Sequence, residues 1–404
     1  MGGATGGLRV LVLSRNYPSS VMPLLGLWVE EPTALVAQRV AVEVVSPVPW
    51  CPPLPRVGRA ADLLRFRAVP RTEVRRGVTI HHPRFPIGPG ATLLAQQARG
   101  YRLGVERFVA GLRRSFPFDL IHAHFTYPDG VVAEWLGRRH GVPVVVTEHA
   151  PWKPWIDRDA GVRRQVVDAS RRVARHEPVS RWLADQIASY TGAPERIRVV
   201  PNGVDPERFV LAAPGERDAD RVLFVGFPRP FKGLDILLRA MRAVVGARPA
   251  AHLAIAGGPI FRGNNAYIDE MRALAERLGL GDSVEFLGAR PVEEVARLMA
   301  TSAVLVLPST METFGVVLVE ALACGTPVIA AIPGGPEDVV TPEVGRLVPF
   351  GDDVTLAASI LDILGDPGRY PPERLRAFAL ERFTWSAVAG AVVDSYREVL
   401  AARG

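Results

Sequence analysis

The chain is nearly without lysine and cysteine. Of 48 basic residues among its 404, only Lys153 and Lys232 are lysine; the rest are arginine. A GC-rich coding sequence would produce this bias by turning generic basic positions into arginine. A lysine kept against that drift is a candidate for chemistry of its own. The two cysteines, Cys51 and Cys324, lie far apart, which excludes a disulfide framework and fits a reducing cytoplasm. No apolar run is built to cross a membrane: the most apolar, 315–332, contains Glu320, Gly325 and Pro327. Leu8 to Leu13 is strand-length and stopped by Arg15, with no basic start before it, so no signal peptide is expected. No Gly-x-Gly-x-x-Gly follows the opening strand of either half, and there is no P-loop, which disfavours a dehydrogenase. The basic residues are scattered and form no recognisable nucleic-acid motif, so nucleic acid is not an expected partner.

What is present is a well-filled globular chain. Apolar residues make up 48% and charged residues 22%, with a net charge of +6. The length exceeds one ordinary core and fits two domains of about 200 residues each. Short apolar strands alternate with helical periodicity in both halves, the pattern of a parallel α/β sheet. The first half gives strands at Leu8–Leu13, Ala41–Val45, Asp119–His124, Val142–Thr147, Arg175–Ser180 and Arg196–Pro201. Its helices are expected near Leu27–Val40, Leu93–Arg114, Gly130–His140 and Arg181–Tyr190. Turns are expected at Pro52-Pro53 and Gly88-Pro89-Gly90. Residues Asp205 to Asp220 read as a linker. The second half repeats the alternation with strands at Val222–Val225, His252–Ala256, Val284–Leu287, Ala303–Leu307, Val328–Ala330 and Gly345–Val348. Helices are expected at Leu234–Val245, Tyr267–Leu278 and, last, Ser386–Ala402.

The segment Ser309 to Val328 carries the most chemistry. Glu312 and Glu320 flank Gly315, which opens a helix between two buried-strand patterns. A helix N-terminus in a βαβ unit is where nucleotide phosphates bind, here on the N–H groups of Phe314, Gly315 and Val316. The carboxylates would repel phosphate but suit hydroxyl-rich groups on either side, since each accepts two hydroxyl donors. Phosphates flanked by polyols describe a nucleotide sugar.

Segment 309–328 resembles the Glu-x7-Glu signature of glycosyltransferase family 4, the retaining GT-B enzymes, down to Ser309, Phe314, Ala321, Gly325 and Pro327. The resemblance implies two Rossmann-like domains facing across a cleft, with the C-terminal helix crossing back to the first. Those domains would be 1–205 plus the returning helix 386–404 for the acceptor, and 206–385 for the nucleotide sugar. Further matches follow along the chain. Lys232-Gly233 matches the family's Lys-Gly pair after the first strand of the second half, where two cations would neutralise a leaving diphosphate. The arginine that should follow Gly226 is replaced by Phe227, and Arg229 is the candidate substitute. Gly26 stands alone where relatives carry a glycine pair near the donor phosphate. His149 ends the strand Thr147-Glu148-His149 and resembles the family histidine that contacts the donor sugar. Gly334-Gly335 resembles a loop bordering the donor, and Asn202-Gly203 a turn entering the linker.

The resemblance therefore implies a retaining transfer of a hexosyl unit from an NDP-sugar to an acceptor hydroxyl, giving an α-glycoside. His149 and Glu312 are the candidates for catalysis. Gly26, Arg229, Lys232, Phe314, Gly315, Val316 and Glu320 are the candidates for donor binding. No metal or other cofactor is expected. Asp218-Ala219-Asp220 looks like a metal motif but falls in the linker, where a solvated charge pair is the better reading. His122 and His124 share a strand face without a third ligand, so structural or substrate contacts are expected of them. Lys153 among Trp152 and Trp155 suits either an anionic or lipid-linked acceptor, or a packed loop. Seven arginines between Arg56 and Arg76 suit either a solvated loop or peripheral contact with the inner membrane face. Two other readings stay open: a GT-B-shaped nucleotide-sugar epimerase, and a non-catalytic sugar-nucleotide-binding protein. Donor base, sugar and acceptor (polysaccharide, lipid-linked glycan or small natural product) are not legible.

Overall fold

The computed structural model describes residues 7–50, 65–86, 94–153, 155–258 and 266–403. The chain divides into two units, Met1–Pro201 with Trp385–Gly404, and Asn202–Thr384. Both are α/β.

In unit 1 the strands are β1 (Arg9–Leu13), β2 (Ala41–Val45), β3 (Val48–Trp50), β4 (Thr72–Arg75), β5 (Val78–His81), β6 (Arg84–Pro86), β7 (Leu120–His124), β8 (Val144–Glu148) and β9 (Arg175–Pro178). Its first helices are α1 (Leu27–Ala37), α2 (Leu94–Ser115), α3 (Val131–His140), α4 (Ala160–Ser170) and α5 (Arg181–Thr191). Seven strands form one sheet in the order β4-β5-β2-β1-β7-β8-β9, while β3 pairs with β6 apart. Every pairing in the seven-stranded sheet is parallel except β4 with β5. The order reverses between β1 and β7, which makes the carboxyl ends of those two strands the expected ligand position.

Unit 2 holds β10 (Asp218–Val225), β11 (His252–Ala256), β12 (Val284–Gly288), β13 (Ser302–Leu307), β14 (Val328–Ile332) and β15 (Gly345–Pro349). Between them run α6 (Leu234–Ala247), α7 (Ala266–Arg277), α8 (Val292–Thr301), α9 (Val316–Ala323), α10 (Asp353–Gly365) and α11 (Pro372–Arg382). The six strands are parallel in the order β12-β11-β10-β13-β14-β15, and this sheet reverses between β10 and β13. Its four central strands, β11, β10, β13 and β14, are buried on both faces, as in Val222, Leu223 and Phe224 of β10, all 0% exposed. Helices on both sides of a parallel sheet leave no solvated face, hence the continuous apolar runs.

The last helix, α12 (Trp385–Ala401), belongs to unit 1. Trp385, Val388, Ala389, Val392, Val393, Tyr396 and Val399 recur at helical spacing and join Val10, Val12, Val29, Val44 and Val145 in one core cluster. Each such large side chain gains about 1.5–3 kcal/mol from leaving water. A polar seam crosses this apolar contact. His122 on β7 is hydrogen-bonded through Nδ1 to the Tyr396 hydroxyl at 2.6 Å and through Nε2 to the Thr147 hydroxyl at 2.7 Å. At the rim, Glu398 accepts from Arg175 at 2.6 Å and from Arg198 at 3.0 Å.

Several expectations are corrected. Residues 196–201 form no strand; Pro201 ends the run, and only the Arg198 and Val200 N–H groups bond to β9, at His176 and Pro178. Asp218 and Asp220 are not linker but open β10. Asp218 pairs with Arg221 at 3.0 Å and lies 3.2 Å from His252 Nε2, and Asp220 pairs with Arg248. The β4–β5 hairpin was missed because its turn is Arg76-Gly77, both at positive φ (48° and 79°), in place of the usual Asn-Gly. Helices α4, α8, α10 and α11 were also unforeseen. The turns at 52–53 and 88–90, and Cys51, lie outside the described residues; Cys324 is buried as a free thiol. No helix among the described residues is long and apolar enough to cross a membrane.

Tyr396→Phe should cost about 1–3 kcal/mol, because it leaves the buried His122 Nδ1 without a partner. The readout is a lower urea midpoint at unchanged slope. An unchanged midpoint would show that the seam contributes nothing to docking of the helix.

Candidate functional site

In unit 2 the loop after β10 and the loop after β13 meet at the strand-order reversal. Lys232 ends the first loop and Glu312 lies in the second, and Lys232 Nζ sits 2.5 Å from Glu312 Oε2. Both side chains are largely buried, at 19% and 16% exposure. Backbone holds the loops together: the Thr310 N–H donates to the Phe231 carbonyl at 2.8 Å. Gly233, at φ +67°, opens α6 and lies against Pro308, where a Cβ would stand 2.0 Å from the carbonyl oxygen. The 334–335 turn closes on the same loop. The Gly335 N–H donates to the Glu312 carbonyl at 2.8 Å, and a Cβ on Gly335 would stand 2.0 Å from the Thr313 oxygen. Gly334 N–H is in turn held by Glu337 at 2.8 Å.

Gly315, at φ +88°, is the N-cap of α9. The N–H groups of Phe314, Gly315 and Val316 find no acceptor among the described residues. Free donors at a helix N-terminus make an anion site. The Phe314 side chain faces away into the core, 1% exposed and edge-on to Phe383 at 5.8 Å, so its backbone alone is available. One turn on, Glu320 is half-buried. Desolvation pushes its carboxyl up to about 7, with Arg208 opposing. Arg229 is exposed and makes no ion pair among the described residues; Phe227 beside it is 48% exposed.

Unit 1 gathers polar groups at its own reversal point. Gly26, at φ +83°, caps α1 and packs on Asn16 of the loop after β1, leaving 2.0 Å between a built Cβ and the Asn16 oxygen. Asp129, after β7, is fully buried and accepts the Arg15 N–H at 2.6 Å and the Tyr101 hydroxyl at 2.7 Å; desolvation raises it to about 6. His149 follows β8. Its ring is nearly coplanar with that of His124, hydrogen-bonds His124 Nδ1 through Nε2 at 3.0 Å with the centroids 5.3 Å apart, and meets Phe125 at 5.1 Å. Phe125 is a non-glycine residue at φ +69°, a strained conformation of the kind that clusters at functional sites.

Sequence reasoning passed over Glu148. Its carboxylate is 3% exposed and accepts four donors: His149 and Ala150 N–H on Oε1, Thr126 N–H and Trp152 Nε1 on Oε2, all at 2.9–3.0 Å. It thereby fixes the loops after β7 and β8 around His149. A glutamate at the end of an otherwise apolar strand was the available signal. Trp152 is buried, and Lys153 is exposed beside it with its N–H on Gln186, so packing positions this loop. His122 has both nitrogens engaged, and no group of three or more metal-ligating side chains occurs among the described residues. The basic stretch near residue 70 is partly neutralised: Arg75 pairs with Glu30 at 2.6 Å and Arg76 with Glu31, while residues 51–64 lie outside the described set.

Residues 32–208 match the model "Glycosyltransferase Family 4", and 208–381 match "Glycosyl transferases group 1". The D-inositol 3-phosphate glycosyltransferase of Segniliparus rotundus is 31% identical, the alignment covering 97% of this chain and 89% of that protein. Its counterpart from Frankia alni is 33% identical, with 81% and 86% covered. Among solved structures, a sucrose-phosphate synthase from Thermosynechococcus elongatus superposes with TM-score 0.78 at 23% identity, covering 98% of this chain and all of that one. Anabaena HepE in complex with UDP-glucose gives TM-score 0.71 at 22% identity, covering 97% and 100%.

Two Rossmann-like units, each with polar groups gathered where its sheet order reverses, define a GT-B glycosyltransferase, an enzyme that takes sugar from a nucleotide-sugar donor. More narrowly, the chain belongs to glycosyltransferase family 4.

Gly335→Ala should displace the 312–315 turn and weaken nucleoside diphosphate binding at least about ten-fold, equivalent to about 1.4 kcal/mol. Gly246→Ala, whose added Cβ would meet nothing within 4 Å, should leave binding unchanged. Calorimetric titration of both variants checks this, and equal affinities would show that the turn does not shape the site.

Proposed function

We propose that the enzyme is a retaining hexosyltransferase that forms an α-glycoside on an acceptor hydroxyl. The C1–O bond to the donor's β-phosphate breaks and a C1–O bond to the acceptor forms on the same face. The hydroxyl proton leaves with the released nucleoside diphosphate or to solvent. The observation that carries the reading is the Lys232–Glu312 pair at the β10/β13 reversal, beside three free N–H groups. Lys232 then turns from Glu312 to the diphosphate, whose charge grows as the bond breaks, with Arg229 the second cation. Released from Lys232, Glu312 accepts hydroxyls of the transferred sugar. The N–H groups of Phe314, Gly315 and Val316 hold the phosphate, and Glu320 accepts the two ribose hydroxyls. His149 contacts the sugar. Gly26 admits the backbone to the phosphate or acceptor, although its contact with Asn16 also gives it a purely local reason. The acceptor is a glycan, a lipid-linked carrier or a small hydroxylated metabolite; the curated relatives named for D-inositol 3-phosphate support the last.

Transfer from UDP-, GDP- and dTDP-linked hexoses, with product anomers read by NMR, tests this directly. One donor should be turned over to an α-product by the wild type and lost in Lys232→Ala and Glu320→Ala. A β-product would overturn the retaining mechanism, and conversion of donor without acceptor would favour an epimerase.

No metal takes part in this scheme, so turnover should survive excess EDTA. Abolition by EDTA and recovery on adding a divalent cation would contradict it.

Donor binding should also depend on pH through Glu320. Its carboxyl titrates at about 7 in the free protein, and ribose hydroxyls favour the ionised form. Ionisation increases with pH, so affinity should rise between roughly pH 6 and 8, by at most ten-fold per unit. Glu320→Gln should flatten that dependence. A flat wild-type profile would mean that the carboxylate does not hold the ribose.

A further inference from the structure

His124 is a buried residue with no role so far. It lies on β7 at 3% exposure, and its ring is nearly coplanar with that of His149, the planes 16° apart and the centroids 5.3 Å apart. Its Nδ1 is 3.0 Å from His149 Nε2, so one of the two nitrogens carries the proton between them. The remaining nitrogens, His124 Nε2 and His149 Nδ1, are buried and have no hydrogen-bond partner. The neighbouring His122 does not compete, because Tyr396 and Thr147 occupy both of its nitrogens. The backbone around His149 is fixed separately, its N–H on Glu148.

Burial holds both rings neutral at neutral pH: His149 is lowered to about 3 and His124 well below the ordinary histidine range. A neutral imidazole carries one N–H. The direction of the hydrogen bond at Nε2 therefore decides what Nδ1 presents: an N–H if His124 donates, a bare nitrogen if His124 accepts. We propose that His124 is a positioning residue: by its hydrogen bond to Nε2 it holds the His149 ring and fixes its tautomer, so that Nδ1 is the nitrogen His149 offers to substrate. The proposal rests on the reading above in which His149 contacts the sugar. It adds the group that makes this contact a fixed one.

The test combines a spectroscopic and a kinetic readout on the full chain. Protein labelled with 15N-histidine distinguishes bare from protonated ring nitrogens, with the His149 signals identified by their loss in His149→Ala. Wild type should show a single tautomer at His149, and His124→Leu a mixture. His124→Asn, which puts an amide where the ring Nδ1 was, should restore one tautomer. In transfer assays His124→Leu should lower kcat about ten-fold, the scale of losing an outer partner, with donor KM within about two-fold. His124→Asn should recover most of it.

If His124→Leu keeps one tautomer, or folds and turns over like wild type, the proposal is wrong. Should the leucine variant not fold, His124→Asn and His124→Gln carry the comparison. The longer glutamine places its amide elsewhere and should not restore either signal; equal rescue by both would overturn the proposal. If His149→Ala leaves transfer unchanged, the sugar-contact reading fails instead, and the spectra still decide whether His124 sets the tautomer.

Discussion

The ion pair between Lys232 and Glu312 is the interaction on which the rest of the donor-side arrangement depends. It joins the loops after the two strands where unit 2 reverses its order, at 2.5 Å and mostly out of water. A largely buried pair is costly to break by removing one partner, because the other charge is left uncompensated. In the proposed scheme a diphosphate would avoid that cost by replacing the carboxylate with a stronger anion. The exchange would free Glu312 to take sugar hydroxyls, so that one contact would serve as a closed resting state and as a source of two ligands.

Around that pair, the absence of side chains matters as much as their presence. Gly233 lies on Pro308 and Gly335 on Thr313 at separations that admit no Cβ, while Gly315 adopts the left-handed conformation at the N-cap of α9. Unit 1 is organised by polar groups instead. Buried Glu148 gathers four donors and buried Asp129 two, and both fix loops at the ends of β1, β7 and β8. One unit shapes its loops by close backbone approach, the other by desolvated carboxylates.

Much of this was legible in the sequence, and the exceptions have physical causes. The apolar runs of β1, β10, β11 and β13 read directly, because a parallel sheet covered on both faces leaves no alternation to confuse. The Glu312-to-Glu320 segment read well because a glycine, a helix and two strands follow one another within 302–332. The β4–β5 hairpin did not read, since Arg76 supplies a positive φ that arginine seldom adopts. Asp218 and Asp220 looked like linker because the partners that make them strand residues, Arg221, His252 and Arg248, become neighbours only in three dimensions. Glu148 and the His124–His149 bond were hidden for the same reason: burial and pairing between strands cannot be seen in one of them.

The scarcity of lysine offers the most direct measurement of the central claim. With only Lys153 and Lys232 in the chain, 15N-lysine labelling gives two side-chain signals, and Lys153→Arg assigns them. Titration with UDP, GDP and dTDP should move the Lys232 ammonium signal saturably with one nucleotide, as its partner changes from carboxylate to phosphate, while Lys153 stays in place. A Lys232 signal that does not move at saturating nucleotide would show that the ion pair is a structural tie and not the donor's diphosphate site.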